Sequence, residues 1–411
     1  IHIHSVANYK MSLYSLITIN EEKDLILTLH DPWFLTGRCV HFFECNKWKD
    51  GCKKCPNLNT HYELKEDNCN MLWNLKNNIF KVINPKIIIA SDWMKDVIDA
   101  SPIIKNKKSI EIIPFGIDIN KFKKRNISKS KYNIKEDEFV IFFRAQNNYK
   151  GTEFITAALE KIEKKENITI ITCGQKGIIN NLKQDYKVIE LGFIDEDTLI
   201  DIYSISDIFL MPSTGETFGL MAVEAMSCEC TIIVFKDTAL EQIVDAPNCG
   251  LSAKYKDSYS LYEKIIYLID NKKEREKRGK LGRKLVKEKY MISSYLEKID
   301  KIYNTKSKNK IESNIKSSND NNLLYFLNTI TEDIFKGNEK IIKKLKYDCI
   351  KDESIIDFSD LSVQKKIYEY CDNLYLLTLN EKFKIPVTIK IKYWIKKHRK
   401  IYNILKNIIR K

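Results

Sequence analysis

The feature that most constrains the fold of this chain is the alternation, between residues 139 and 235, of short apolar runs with helical stretches. The runs 139–143, 168–173, 187–191, 207–211 and 231–235 are dominated by Ile, Val, Leu, Phe and Thr. Near-continuous apolar runs of this length suit strands buried on both faces of a sheet; a strand with one wet face alternates polar and apolar residues instead. The intervening spans 151–162, 195–204 and 218–227 carry helical spacing. The expected unit is therefore a doubly wound parallel sheet covered by helices on both faces. Two further runs, 1–4 and 25–31, predict buried strands near the amino terminus and bring His4 and His30 to strand ends.

Ligands of such sheets bind outside the carboxyl ends of the strands, so the segments that follow the predicted strands matter most. One is Pro212-Ser213-Thr214-Gly215-Glu216-Thr217-Phe218-Gly219-Leu220-Met221-Ala222-Val223-Glu224-Ala225-Met226. A strand-terminating turn leads into a helix expected to start near Phe218. The first-turn N–H groups around Phe218, Gly219 and Leu220, together with the helix dipole, form an anion site suited to a diphosphate. Glu224, further along the helix, is placed to accept hydrogen bonds from vicinal hydroxyls such as those of a ribose, and Glu216 precedes the helix on the side of a bound sugar. Read in isolation, two glutamates eight residues apart also fit a merely solvated helix face. A second segment, Phe142-Phe143-Arg144-Ala145-Gln146-Asn147-Asn148-Tyr149-Lys150-Gly151, delivers Arg144 from a strand end and Lys150 from a helix start. A planar guanidinium and a mobile ammonium together oppose the charge that develops as a glycosyl–phosphate bond breaks. The alternative is two solvated cations.

Taken together, these segments resemble the donor-binding elements of retaining GT-B glycosyltransferases, glycosyltransferase family 4 (group 1). The resemblance implies an α/β GT-B fold, in which two Rossmann-like doubly wound domains face a cleft. It implies a sugar transferred from a nucleotide-diphosphate sugar, a UDP- or GDP-sugar, to a hydroxyl of a glycan or lipid-linked saccharide, with retention of anomeric configuration and with no metal or other cofactor. Arg144 and Lys150 would clamp the diphosphate, Glu216 the donor sugar and Glu224 the ribose. His30 would stand at the reacting face, with His4 at a neighbouring strand end; a strand-end histidine is otherwise commonly structural. After Gly192, the family's base-contacting turn falls on Phe193 and Ile194. Residues 87–94 and 112–118 extend the resemblance, with Gly116 and Asp118 at the crossover between domains. The expected organisation is an amino-terminal acceptor domain over 1–115, a donor domain over 116–290, a helix crossing back at 291–305, a linker at 306–322 and a helical appendage at 323–411.

Departures from the family pattern are visible. Glu229 stands where a glycine is usual, Thr231 replaces a proline, and Asp237-Thr238 replaces a Gly-Gly element. A glutamate enters the left-handed region less easily than glycine, so this turn is expected to be strained or different. The chain also opens on a strand that the family places well inside its first domain, so the family's first strands and glycine-rich phosphate loop are expected to be missing. A catalytically inactive GT-B scaffold, or a GT-B epimerase or phosphorylase, are the alternatives to a transferase.

The loop after His30 is unusual. Cys39, Cys45, Cys52 and Cys55 follow the spacing C-x5-C-x6-C-x2-C. Four thiols so close in sequence fit structural zinc, free packed thiols or, in an oxidising compartment, disulfides. A similar loop occurs in family 4 enzymes resembling those of exopolysaccharide and capsule assembly.

A chain of 411 residues with 44% hydrophobic content can fill two or three cores. No uncharged apolar run reaches the roughly 18 to 20 residues a bilayer requires, and a cytoplasmic protein is expected, peripheral at the inner face of the membrane. The net charge of +14 favours an anionic partner. Residues 382–411 contain no acid, many Lys and Arg, and apolar residues at helical spacing; such a helix suits an anionic membrane surface or packing on the catalytic domains. No recognised nucleic-acid-binding module accompanies the charge, so nucleic acid is not an expected partner.

Overall fold

The computed structural model describes residues 1–6, 13, 15–58, 67–104, 109–147 and 149–305; the expected linker, appendage and basic helix at 306–411 lie outside them. Among the described residues, ten strands form two sheets. The first contains β1 (His2–Ile3), β2 (Ile26–Thr28), β3 (Lys86–Ile89) and β4 (Ile110–Ile112) in chain order, all parallel. The second contains β5 (Phe139–Ala145), β6 (Ile168–Gly174), β7 (Lys187–Gly192), β8 (Ile208–Met211), β9 (Thr231–Phe235) and β10 (Leu251–Ala253), also all parallel, in the order β10-β9-β8-β5-β6-β7.

The helices are α1 (Ser15–Glu22), α2 (Cys69–Val82), α3 (Asp92–Ala100), α4 (Thr152–Leu159), α5 (Glu196–Ile205), α6 (Leu220–Ser227), α7 (Ala239–Ile243), α8 (Ser258–Asp270), α9 (Lys272–Lys289) and α10 (Ile292–Asn304). Along β5, Val140 and Phe142 enter a core with α5 and α6, whereas Ile141 and Phe143 enter a second core with α4 and α8. Successive side chains of a strand point to opposite faces, so this sheet is buried on both sides and its strands carry almost no polar residues.

The order of the second sheet sets the location of a ligand crevice. From β5 the chain winds outward through β6 and β7, then returns to β8 on the other side of β5 and winds away through β9 and β10. The reversal lies between β5 and β8, and the loops leaving their carboxyl ends diverge there, as at the ligand crevices of other open α/β sheets. Those loops carry the Arg144–Lys150 and Pro212–Gly219 segments.

The two sheets are joined at a double crossing. Ile117 N–H donates to the Tyr290 carbonyl and Ile292 N–H to the Ile117 carbonyl, both at 2.9 Å. A Cβ on Gly116 would come within 2.6 Å of the Ile292 Cα, so only glycine permits this approach. Beyond it, α10 lies on the first sheet, where Ile299 packs with Ile26, Ile88 and Ile113.

Several boundaries shift from those expected. α6 begins at Leu220, not Phe218, because Gly219 takes the left-handed conformation (φ +89°) and ends the preceding loop. α4 stops at Leu159 instead of 162 because the amides of Lys161 and Ile162 turn to carbonyls three residues back, tightening the chain out of the α-helix. Asp195 is the cap of α5, accepting from Thr198 N–H at 2.8 Å, rather than its first residue. The last helix starts at Ile292 instead of 291, after Tyr290 and Met291 are used in the double crossing. His4 and His30 lie just past β1 and β2 rather than within them.

Candidate functional site

The loops after β5 and β8 are locked together by backbone. Thr214 N–H donates to the Tyr149 carbonyl at 2.8 Å, and a Cβ on Gly151 (φ +78°) would stand 2.1 Å from the Pro212 carbonyl oxygen. This contact brings Lys150 and Glu216 side by side. They form an ion pair, and each side chain is only 14% exposed. Lys150 also stands over the Tyr149 ring, 4.8 Å from its centroid. A half-enclosed ammonium beside a carboxylate can exchange its partner for a phosphate without leaving the crevice. Arg144, at the end of β5, has no hydrogen-bond or ion-pair partner among the described residues, so its guanidinium is available to an anion.

Glu224 projects from α6 and accepts a hydrogen bond from the buried Tyr203 hydroxyl at 3.3 Å. Burial raises its pKa to about 7, with the Tyr203 bond opposing the rise and the Glu196 charge adding to it. The same environment raises the Cys173 thiol to about 11, through burial first, with Arg144 opposing and Glu224 reinforcing. Arg144 and Glu224 thus both act electrostatically on one sulfur at the end of β6.

Phe218 is a core residue, 1% exposed, edge-on to Phe115 and Tyr290. It anchors the loop, and its amide is not part of the first turn of α6. Gly219 is required where it stands, since a Cβ would meet the Leu240 side chain at 2.4 Å. Leu220, the first residue of α6, is 44% exposed. After β7, the Phe193 ring is 90% exposed while Ile194 turns inward onto the core, so of this pair only Phe193 offers a free face.

His30 faces this assembly from the first sheet. Its Nε2 lies 3.0 Å from His4 Nδ1, and its ring stacks on Phe115 at 5.2 Å. One side is open to solvent. Crowding on the other lowers its pKa, with the neighbouring His4 adding to the effect. The His4 ring in turn lies tilted against that of His2, centroids 4.2 Å apart, and the His2 ring nitrogens contact the Tyr303 and Thr28 hydroxyls at 2.8 and 2.7 Å.

Thr217 and Ser91 were not singled out from the sequence. The Thr217 hydroxyl donates to the His30 carbonyl, and the Ser91 hydroxyl donates to the Thr217 carbonyl, both at 2.6 Å. Ser91 also caps α3, accepting from Met94 N–H at 3.2 Å. The Ser-Asp start of a helix is a legible cap signal, but nothing local tells that its oxygen also reaches across to another sheet. Gln242 on α7 makes a parallel link, accepting from Trp93 N–H at 3.0 Å.

Where glycines were expected at 229 and 237, Glu229 (φ +60°) and Asp237 (φ +59°) both adopt the left-handed conformation. The turn geometry is kept and the side chains carry the strain. Among the described residues no group of three or more His, Cys, Asp or Glu stands in metal-binding geometry, and no helix is long and apolar enough to cross a membrane. Cys39, Cys45, Cys52 and Cys55 are free thiols.

Residues 124–285 match the family described as glycosyl transferases group 1. An uncharacterized glycosyltransferase of Methanocaldococcus jannaschii is 30% identical over 143 residues, 32% of this chain and 36% of that protein. The capsular polysaccharide biosynthesis glycosyltransferase CapM of Staphylococcus aureus is 26% identical over 235 residues, 53% of this chain and 61% of that protein. The chain thus spans well under two thirds of these curated relatives. Among solved structures, sucrose-phosphate synthase of Thermosynechococcus elongatus superposes with a TM-score of 0.58 at 19% identity, covering 74% of this chain and 72% of that one. HepE of Anabaena, in complex with UDP and glucose, superposes at 0.56 with 17% identity, covering 74% and 78%. The structural likenesses carry the fold, an α/β GT-B architecture, and the sequence match is a similarity of residues 124–285 to the group 1 glycosyl transferases.

Proposed function

We propose that this protein transfers a sugar from a nucleotide-diphosphate sugar to a hydroxyl of a glycan or lipid-linked saccharide, with retention. The observation that carries this reading is the Lys150–Glu216 pair at the β5/β8 reversal, with Arg144 unpaired beside it. On this reading the second-sheet unit holds the donor and the first-sheet unit the acceptor. Lys150 and Arg144 oppose the diphosphate charge, most strongly as the glycosyl–phosphate bond breaks, and the amides at the start of α6 add their partial charges. Freed from Lys150, Glu216 accepts from donor-sugar hydroxyls. Glu224 takes the ribose hydroxyls as a carboxylate, Phe193 borders the base while Ile194 anchors the turn in the core, and His30 faces the reacting carbon.

Retention requires the acceptor oxygen to arrive on the face the leaving group vacates. The departing phosphate is then the nearest base for the acceptor proton, and a poorly hydrated crevice favours that transfer. A UDP-bound neighbour of the same fold makes uridine the first base to test. Relatives that act in capsule and glycolipid assembly make an anionic membrane surface a reasonable place of work.

The decisive experiment is calorimetric titration with UDP, GDP and their sugar conjugates, run in parallel on Glu224→Ala, followed by assignment of the product's anomeric configuration by NMR. Donor binding that weakens in the variant, with a retained anomer in the product, is the expected result. An inverted product removes the retaining step. Epimerised nucleotide sugar or sugar 1-phosphate as product replaces transfer by another reaction, and absence of nucleotide binding leaves a scaffold protein.

A further inference from the structure

The connection between β2 and α2 contains a cluster that the donor site does not use. Cys39, Cys45, Cys52 and Cys55 line one cavity of about 20 Å³, and Cys69, in the first turn of α2, joins them. That volume suits a single ion or water-sized occupant. Between residues 36 and 58 the only regular element is one 3-10 turn (Lys47–Asp50).

The backbone that carries these sulfurs is held from outside. Trp73 Nε1 donates to the Trp48 carbonyl at 2.7 Å and Asn70 Nδ2 to the Gly51 carbonyl at 2.6 Å, fixing the loop to α2. Asp67 accepts from the amides of Cys55 at 2.7 Å and Cys69 at 3.1 Å. Within Cys52-Lys53-Lys54-Cys55, two non-glycine residues, Cys52 and Lys54, take φ +53°. Strain of this kind persists where a site over-determines the backbone.

Two further hydrogen-bonding features hold the loop around the sulfurs. The Gly37 N–H donates to Cys52 Sγ at 3.2 Å. Lys76, fully buried beneath the loop, donates to the carbonyls of Trp33, Thr36 and Gly37 at 2.6, 2.9 and 3.0 Å. These carbonyls satisfy its hydrogen bonds and fix the loop to α2 from below.

We propose that Cys39, Cys45, Cys52 and Cys55 bind one thiophilic divalent cation, of which zinc is the commonest, as a structural centre that organises this loop. In this structure the sulfurs do not stand in metal-binding geometry, so they must close on the ion by side-chain rotation within the pinned backbone. Four S–H protons pass to solvent, leaving a centre of net charge −2 that Lys76 and the buried Arg38 offset. Cys69 is left out of the ligand set, because its thiol is already engaged with the Asp67 carboxylate and with Cys55. The centre sets the wall of the crevice: His41, from the same loop, lies 4.9 Å from the Tyr149 ring and against Gly215, next to Glu216.

The test is elemental analysis of the purified full chain after exhaustive dialysis. About one zinc per chain is expected, and cobalt exchanged into the site should give the charge-transfer and visible absorption of a tetrahedral tetrathiolate. Cys55→Ser should lower the metal content at least tenfold, while Cys69→Ser keeps it. The wild-type measurement needs no variant to fold. Less than a tenth of an ion per chain after expression in zinc-supplemented medium, or thiol titration under non-reducing denaturation showing these cysteines to be disulfides, overturns the proposal. Full metal retention in Cys55→Ser overturns the ligand set.

Discussion

The Thr217 hydroxyl donates to the His30 carbonyl at 2.6 Å, tying the loop after β8 to the residue that follows β2 in the other sheet. Because Thr217 sits between Glu216 and Phe218, this single bond positions the candidate sugar-binding carboxylate against the opposite wall of the crevice. Thr217→Val keeps the shape and removes the donor. A loss of about 1 kcal/mol is expected, the usual net value of one hydrogen bond. It should appear as a roughly five-fold weaker donor affinity in calorimetry. Unchanged affinity, with unchanged thermal stability, would assign the contact no energetic role.

Lys150 and Glu216 should act as a coupled pair. Removing either leaves the other charge 14% exposed without its partner, so each single change is costlier than the pair's net worth. Lys150→Ala is expected to weaken binding of the bare nucleoside diphosphate by about 10- to 100-fold, from loss of a charge-assisted contact of about 1.5–3 kcal/mol. Glu216→Gln should retain affinity for the diphosphate and lose the increment contributed by the sugar. Equal losses for both ligands in both variants would contradict the division of roles.

Glu224 gives the stability a pH dependence of known sign. Its pKa rises from an ordinary 4.5 to about 7 on folding, through burial. The folded protein therefore holds a proton that the unfolded chain releases. The contribution is fully present below pH 4.5 and is lost as pH rises through about 7, by up to about 3 kcal/mol. In Glu224→Gln, which is neutral throughout, this decline should be missing when urea midpoints are compared between pH 5 and 8. Parallel slopes for the two proteins would falsify the assignment. Donor affinity should rise over the same interval, because ribose hydroxyls donate to the ionised form.

Glu229→Gly is expected to stabilise the protein. Glu229 holds φ +60° in the turn between α6 and β9, and its carbonyl lies where a Cβ on Gly279 would stand 2.2 Å away, so neither chain can relax. Left-handed conformation costs a non-glycine residue about 1–2 kcal/mol, partly offset by the greater unfolded-state freedom of glycine. A net gain of about 0.5–1 kcal/mol in denaturant unfolding is the expected outcome. A loss would mean that the Glu229 side chain makes a compensating contact.

Much of this arrangement is legible along the chain. The apolar runs of β5, β6, β8 and β9 announce a sheet buried on both faces, and the glutamates, Arg144 and Lys150 fall in segments that follow strands. Helix starts are less legible. Gly219 reads as helical until its φ of +89° is seen, with the Leu240 side chain packed where a Cβ would go. Phe218 reads as part of a binding turn, and packing with Phe115 and Tyr290 makes it core.

The sequence by itself determined the parallel α/β architecture, the neighbourhood of the donor segments and the cluster of four thiols, because each depends on periodicity or short spacing. Tertiary structure alone decided that Lys150 meets Glu216, that Thr217 reaches His30 from 187 residues away, and that Cys69 and Lys76 complete the surroundings of the cysteine loop. Those contacts depend on strand order and on which loops the β5/β8 reversal leaves facing each other. No local pattern encodes that, since the chain returns to β8 only after β6 and β7 have been laid down on the other side.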